Sequence, residues 1–147
     1  MANYLNKTGQ LAIQGVPYPA DIKGFLAGGS MIGTNHMYHP SVSISLYPFH
    51  STDSPPSLRA TLINTTLGKC PDTALTLSGY SQGAQIVHNA VSSLPTTVTS
   101  KISSVVLFGD PKNGTAVVNI DASKVLVICH TGDNICQGGD SIKLEHL

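Results

Sequence analysis

Ser81 is the residue in this sequence best placed to become a nucleophile. It stands at the centre of Gly79-Tyr80-Ser81-Gln82-Gly83, a G-x-S-x-G run. Such a run does chemistry when a strand enters it and a helix leaves it, because the sharp turn then presents the hydroxyl beside the free N–H groups of the helix start. A serine hydroxyl also needs a base, and the base needs a group to orient it. With this turn the chain order is serine, acid, histidine. The later carboxylates are Asp110, Asp121, Asp133, Asp140 and Glu145. Asp110 and Asp133 each follow a predicted strand, but Asp110 precedes Pro111 and suits the capping of a turn equally well. Asp133 lies between Cys129 and Cys136, and His146 is the only histidine downstream of it. That makes Asp133 the expected acid and His146 the expected base.

The other histidines carry less. His130 reads as a structural neighbour of the acid loop. His88, seven residues past Ser81, reads as a solvent-facing or packing residue of the following helix. His36, His39 and His50 have no carboxylate or cysteine spacing that would make a metal site, so no metal or cofactor is expected.

The elements needed to hold these residues are legible around them. Thr73–Ser78 reads as a strand ending at Gly79. Gln82–Leu94 carries Ala84, Val87, Ala90 or Val91, and Leu94 at helical spacing, and Pro95 ends it. The glycines of the turn are expected because the bend is too sharp for a Cβ to pass neighbouring backbone. Ser104–Phe108 and Val125–Ile128 are near-continuous apolar runs, the pattern of strands buried on both faces of a parallel sheet. The order strand, helix, strand, strand predicts an α/β domain. Upstream, 10–16 reads as a short strand, Asp21–Leu26 as a helical turn closed by Gly28-Gly29, and Leu58–Leu67 as a helix. The Ser/His/Pro-rich stretch from Ser30 to Ser57 shows neither period and reads as an irregular excursion.

Composition bounds the rest. The 147 residues make one domain, and eight Lys+Arg balance eight Asp+Glu. A neutral chain lacks the electrostatic footprint of a nucleic-acid binder. Charged residues are 11% and hydrophobic residues 41%, the reverse of a disordered composition. No run of 18 apolar residues spans a membrane. The start, Met1-Ala2-Asn3-Tyr4-Leu5, has no apolar segment of signal-peptide type. Three N-glycosylation patterns, at Asn6, Asn64 and Asn113, point instead toward a secreted chain.

The sequence resembles the cutinase family of fungal serine esterases, which includes acetylxylan esterases. The match runs through Gln14-Gly15-Val16, Tyr18-Pro19-Ala20, Cys70-Pro71, Leu77–Ala84, Val106–Pro111, Cys129–Cys136 and His146-Leu147. It implies a three-layer α/β-hydrolase sandwich around a parallel sheet, with Ser81 as nucleophile, His146 as base and Asp133 as orienting acid. It also implies an oxyanion contact from the Gln82 backbone N–H, a Cys129–Cys136 disulfide and an extracellular monomer. The substrate class it implies is an ester of cutin or another polyester, an acylglycerol or an acetylated polysaccharide.

Set against the family pattern, residues of about 35–57 read as an insertion. A first strand, a second oxyanion donor and a cysteine partner for Cys70 would precede Met1, and a closing helix would follow Leu147. These differences leave Cys70 unpaired and make a catalytically impaired homologue the alternative reading. A polysaccharide-binding module fits poorly, with 5% aromatic residues and no Trp to stack on sugar rings.

Overall fold

Three apolar runs form the strands of a parallel sheet: β1 (Leu75–Tyr80), β2 (Ile102–Phe108) and β3 (Val125–Ile128), in the order β1-β2-β3. This computed structural model describes residues 11–38 and 62–147. The register aligns Tyr80 with Phe108 and Phe108 with Ile128. The three strands therefore end at one level, and Ser81, Gly109 and Cys129 each begin the loop beyond it. Parallel strands send all their C-terminal ends to one edge, which is where α/β proteins assemble their sites.

The helices are α1 (Ile22–Leu26), α2 (Met31–Tyr38), α3 (Leu62–Lys69), α4 (Gln82–Ser92) and the single turn α5 (Thr96–Thr99). Helix α4 crosses back over the sheet from Ser81. Its Ala84, Val87, Ala90 and Val91 are fully or almost fully buried in one cluster with Leu77, Val105 and Leu107 of the strands and with Ile63 and Leu67 of α3. The expected α/β fold with a central parallel sheet is thus the one found.

Helix α4 also carries a polar stripe. Gln82 Nε2 donates to the Asp21 carbonyl at 2.6 Å, Gln85 Nε2 to that of Phe25 at 3.2 Å, and Asn89 Nδ2 to that of Gly28 at 2.9 Å. Spacings of three and four residues put these amides on one face of the helix. They pin α1 alongside the nucleophile helix. Asp21 caps α1 by accepting the Gly24 N–H at 2.7 Å, and the expected Gly28-Gly29 stop follows with φ of +82° and +118°.

Several expectations change. Strand burial is one-sided among the described residues: Leu77, Val105 and Leu107 face α4, while Phe108, Leu126 and Ile128 on the other sheet face are 40%, 54% and 43% exposed. An apolar run cannot itself say whether one or both of its faces are covered. The described part of the expected strand 10–16, residues 11–16, pairs with no strand among the described residues and leaves Ile13 exposed. Alternation makes a strand only where a neighbour supplies the ladder.

Residues 31–38, assigned to the irregular excursion, form α2. Ser30 starts it, with its carbonyl accepting the Thr34 N–H at 2.9 Å. Gly33 lets it approach α4 so closely that a Cβ there would lie 2.5 Å from Ile86 Cδ1. Tertiary packing overrides a weak helical signal here. The rest of the excursion, 39–57, and the first four residues of the expected helix Leu58–Leu67 lie outside the described residues.

One-sided burial has a direct consequence for stability. Leu107→Ala is expected to cost about 2–5 kcal/mol through transfer and cavity terms, and Leu126→Ala less than about 1 kcal/mol. Urea unfolding of the two variants measures this, and equal losses would contradict the one-sided core.

Candidate active site

Ser81 sits on the tight turn between β1 and α4 with φ +55° and ψ −118°, a backbone conformation that L residues rarely hold. Its N–H is fixed by the Phe108 carbonyl at 2.8 Å. The two glycines of the run are not equivalent. A Cβ on Gly79 would lie 2.4 Å from the Gly83 backbone, whereas one on Gly83 would meet only the Tyr18 hydroxyl, at 3.4 Å. Only Gly79 is demanded by backbone contact. Beyond Ser81 the first N–H groups of α4, Gln82 among them, have no carbonyl one turn earlier in the helix to bond. They lie beside the serine, with the positive end of the helix dipole directed the same way.

The histidine comes from the other end of the chain. His146 belongs to the 3₁₀ turn Leu144–His146 and is buried. Its Nε2 lies 2.8 Å from Ser81 Oγ, and its Nδ1 lies 2.9 Å and 3.1 Å from the two carboxylate oxygens of Asp133. Asp133 is buried in the loop after β3, which the Cys129–Cys136 disulfide closes with 6.2 Å between Cα atoms. Asp133 Oδ1 also accepts the Ile135 N–H at 2.9 Å. Burial pushes the Asp133 carboxyl up, but the bonds from the His146 ring and the Ile135 N–H outweigh it and hold it below the ordinary 3.8. The structure therefore brings Ser81, His146 and Asp133 into one hydrogen-bonded line.

Two neighbours hold the imidazole that sequence reasoning did not pick out. The Tyr80 ring stacks on His146, with centroids 5.1 Å apart and planes 18° from parallel, and the Tyr80 hydroxyl donates to the His146 carbonyl. Gly109, with φ +55°, lies against the other atoms of the ring, so that a Cβ there would stand 2.7 Å from Cε1. An aromatic residue just before the serine was a visible signal, but nothing in the sequence tied it to a residue 66 positions away.

Of the other expected residues, His130 is exposed. It lines, with Tyr80, Phe108, Ile128, Asp133 and His146, a cavity of about 210 Å³. His88 is the packing residue of its two readings: it is buried, with Nε2 3.0 Å from Asp110 Oδ2. Asp110 takes the turn-capping role, its Oδ1 accepting the Lys112 N–H at 2.9 Å. Cys70 is a free, exposed thiol. Asn113 is exposed, Asn64 is half-buried on α3, and Asn6 lies outside the described residues. His36 lies on α2, while His39 and His50 lie outside the described residues. No group of three or more His, Cys, Asp or Glu side chains is gathered as metal ligands among the described residues, and no helix among them is long and apolar enough to cross a membrane.

A serine on a strand–turn–helix at the C-terminal edge of a parallel sheet, with acid and histidine on later loops, defines an α/β-hydrolase-type protein. A family model described as Cutinase matches residues 1–147. The chain is 47% identical over 137 residues to a cutinase of Botryotinia fuckeliana, covering 93% of this chain and 57% of that protein. It is 42% identical over 139 residues to a cutinase of Monilinia fructicola, covering 95% and 58%. Among solved structures, Trichoderma reesei cutinase in complex with a C11Y4 phosphonate inhibitor matches with a TM-score of 0.73 and 47% identity, over 93% of this chain and 52% of that chain. This chain belongs to the cutinase family. It spans about half the length of the curated relatives it matches.

The depressed Asp133 carboxyl has a signed effect on stability. A group whose folded value lies below its unfolded 3.8 adds stability that is complete above 3.8 and is lost as pH falls through the folded value. Thermal unfolding followed from pH 7 downward is expected to show Asp133→Asn losing less stability on acidification than the wild type. Parallel acid profiles would contradict the assignment of that charge.

Proposed function

We propose that this chain is a cutinase-type serine esterase that cleaves carboxylic esters through an acyl-serine intermediate. The observation that carries this is the bonded line Ser81 Oγ, His146 Nε2, His146 Nδ1, Asp133, at 2.8 Å and 2.9 Å. In the first half-reaction Ser81 Oγ attacks the ester carbonyl carbon while its proton passes to His146 Nε2. Asp133 keeps Nδ1 protonated and stabilises the imidazolium. The carbonyl oxygen, now negative, is received by the Gln82 N–H at the start of α4. The tetrahedral species collapses, the C–O bond to the alcohol breaks, and the leaving alkoxide takes the proton from Nε2. Water then repeats the sequence: it gives a proton to Nε2, attacks the acyl carbon, and releases the acid as Ser81 Oγ regains its hydrogen.

Support for an external polyester or lipid-like ester as substrate comes from the relatives, whose name denotes enzymes of cutin. A phosphonate inhibitor bound to the Trichoderma reesei protein fits the same chemistry, since a tetrahedral phosphorus resembles the species formed at Ser81. The disulfide of the acid loop favours action outside the cell, where such bonds persist.

Hydrolysis of p-nitrophenyl butyrate tests the reading. Ser81→Ala is expected to lower kcat by about 10⁴-fold or more, and Asp133→Asn by about 10⁴-fold through the wrong imidazole tautomer. Equal turnover by the wild type and Ser81→Ala would sink the esterase assignment and leave a catalytically impaired homologue.

A further inference from the structure

The segment from Phe108, the last residue of β2, to Asn113 contains no member of the serine–histidine–aspartate line, yet it touches the support of all three. The Phe108 carbonyl accepts the Ser81 N–H at 2.8 Å, fixing the strained backbone of the serine. Gly109 lies under the His146 ring with no room for a Cβ, and its N–H ties the turn to β3 through the Ile128 carbonyl at 2.9 Å. Asn113 Nδ2 donates to the Cys136 carbonyl at 3.2 Å, at the far end of the disulfide loop that carries Asp133. Three loops that are remote in sequence meet on one short segment.

What holds that segment is itself buried and polar. Asp110 is 1% exposed and His88 is 6% exposed, and their side chains bond at 3.0 Å. The other Asp110 oxygen accepts the Lys112 N–H, and Lys112 Nζ donates to Asn89 Oδ1 at 2.8 Å. His88 and Asn89 both belong to α4, the helix that Ser81 leads into. The turn is thus fastened to the same rigid body as the serine, by two side-chain bonds about two helical turns beyond it. A rigid helix on one side and a clamped turn on the other set how far the His146 ring can move from Ser81 Oγ.

We propose that Asp110 is a positioning residue, and that its bond to His88 sets the spacing of Ser81, His146 and Asp133 by clamping the turn on which all three supports rest. The proposal rests on the esterase reading for its kinetic consequence, but its structural consequence stands without it. A carboxyl and an imidazole buried together cost stability unless they are hydrogen-bonded, so removing either one leaves the other a buried polar group without its partner.

The test compares Asp110→Ala with Asp110→Asn. The amide of Asp110→Asn keeps its oxygen as acceptor for the Lys112 N–H and turns its NH₂ toward His88 Nε2, which accepts that bond in the Nδ1–H tautomer. Both contacts of the clamp are thus kept, whereas alanine removes both. Asn113→Ala, an exposed change that severs only the bond to the acid loop, serves where Asp110→Ala folds poorly. Two readouts are taken well below the melting temperature. The first is kcat and KM on p-nitrophenyl butyrate; the second is the far-downfield proton resonance of the His146 Nδ1–H, identified by its loss in His146→Ala.

Asp110→Ala is expected to lower kcat by about tenfold or more at unchanged KM, as displacements of an ångström or less do, and to broaden the resonance. Asn113→Ala moves both in the same direction by less, and Asp110→Asn restores both. A sharp resonance and undiminished kcat in Asp110→Ala and Asn113→Ala would overturn the proposal. Should the wild type turn over no faster than Ser81→Ala, the esterase reading fails and the resonance alone decides the role of the clamp.

Discussion

One imidazole has to be held by both nitrogens at once, and much of the described structure serves that requirement. A histidine ring that drifts by an ångström loses either its proton acceptor face toward Ser81 or its anchor on Asp133. His146 is held from four directions: Ser81 Oγ at Nε2, Asp133 at Nδ1, the stacked Tyr80 ring, and Gly109 against Cε1. Each of these holders sits on a different loop or strand end. The problem the fold solves is therefore one of register between segments far apart in sequence.

Parallel pairing solves most of it. Because β1, β2 and β3 end level with one another, Ser81, Gly109 and Cys129 leave the sheet side by side. The nucleophile turn, the ring-bearing glycine turn and the acid loop are then neighbours without further adjustment. Within the site, backbone strain falls on the positive φ of Ser81, and it is held there by the Phe108 carbonyl on one side and the buried α4 on the other. The acid loop is restrained covalently by Cys129–Cys136, and a loop so short loses little freedom when Asp133 is ordered. Polar side chains of α4 carry the remaining load: its amides pin α1, and His88 and Asn89 reach the turn after β2.

The features legible in the sequence were those with a local signature. Gly79 marks a bend that backbone contact alone enforces, Pro95 follows the end of α4, and the run Val125–Ile128 matches its strand residue for residue. Ser81, Asp133 and His146 could be named because the turn dictates a chain order, and the structure brings those side chains within bonding distance. Features that depend on distant partners were not legible. Residues 11–16 alternate like a strand but lack a ladder neighbour among the described residues, and 31–38 look irregular yet pack as a helix because Gly33 fits against Ile86. The bond between His88 and Asp110, and the stack of Tyr80 on His146, join residues 22 and 66 positions apart, beyond any pattern of period two or 3.6. Neither was visible until the chain was folded.

The central claim is that Ser81 is activated by His146 and Asp133 in this chain as folded. Mass spectrometry after incubation with an alkyl p-nitrophenyl phosphonate tests it most directly, because such a reagent phosphonylates an activated serine and releases p-nitrophenol. One phosphonyl group per chain is expected, mapped to the peptide that contains Ser81, and none in His146→Ala over the same interval. A folded protein that remains unlabelled, or that is labelled at another residue, would contradict it.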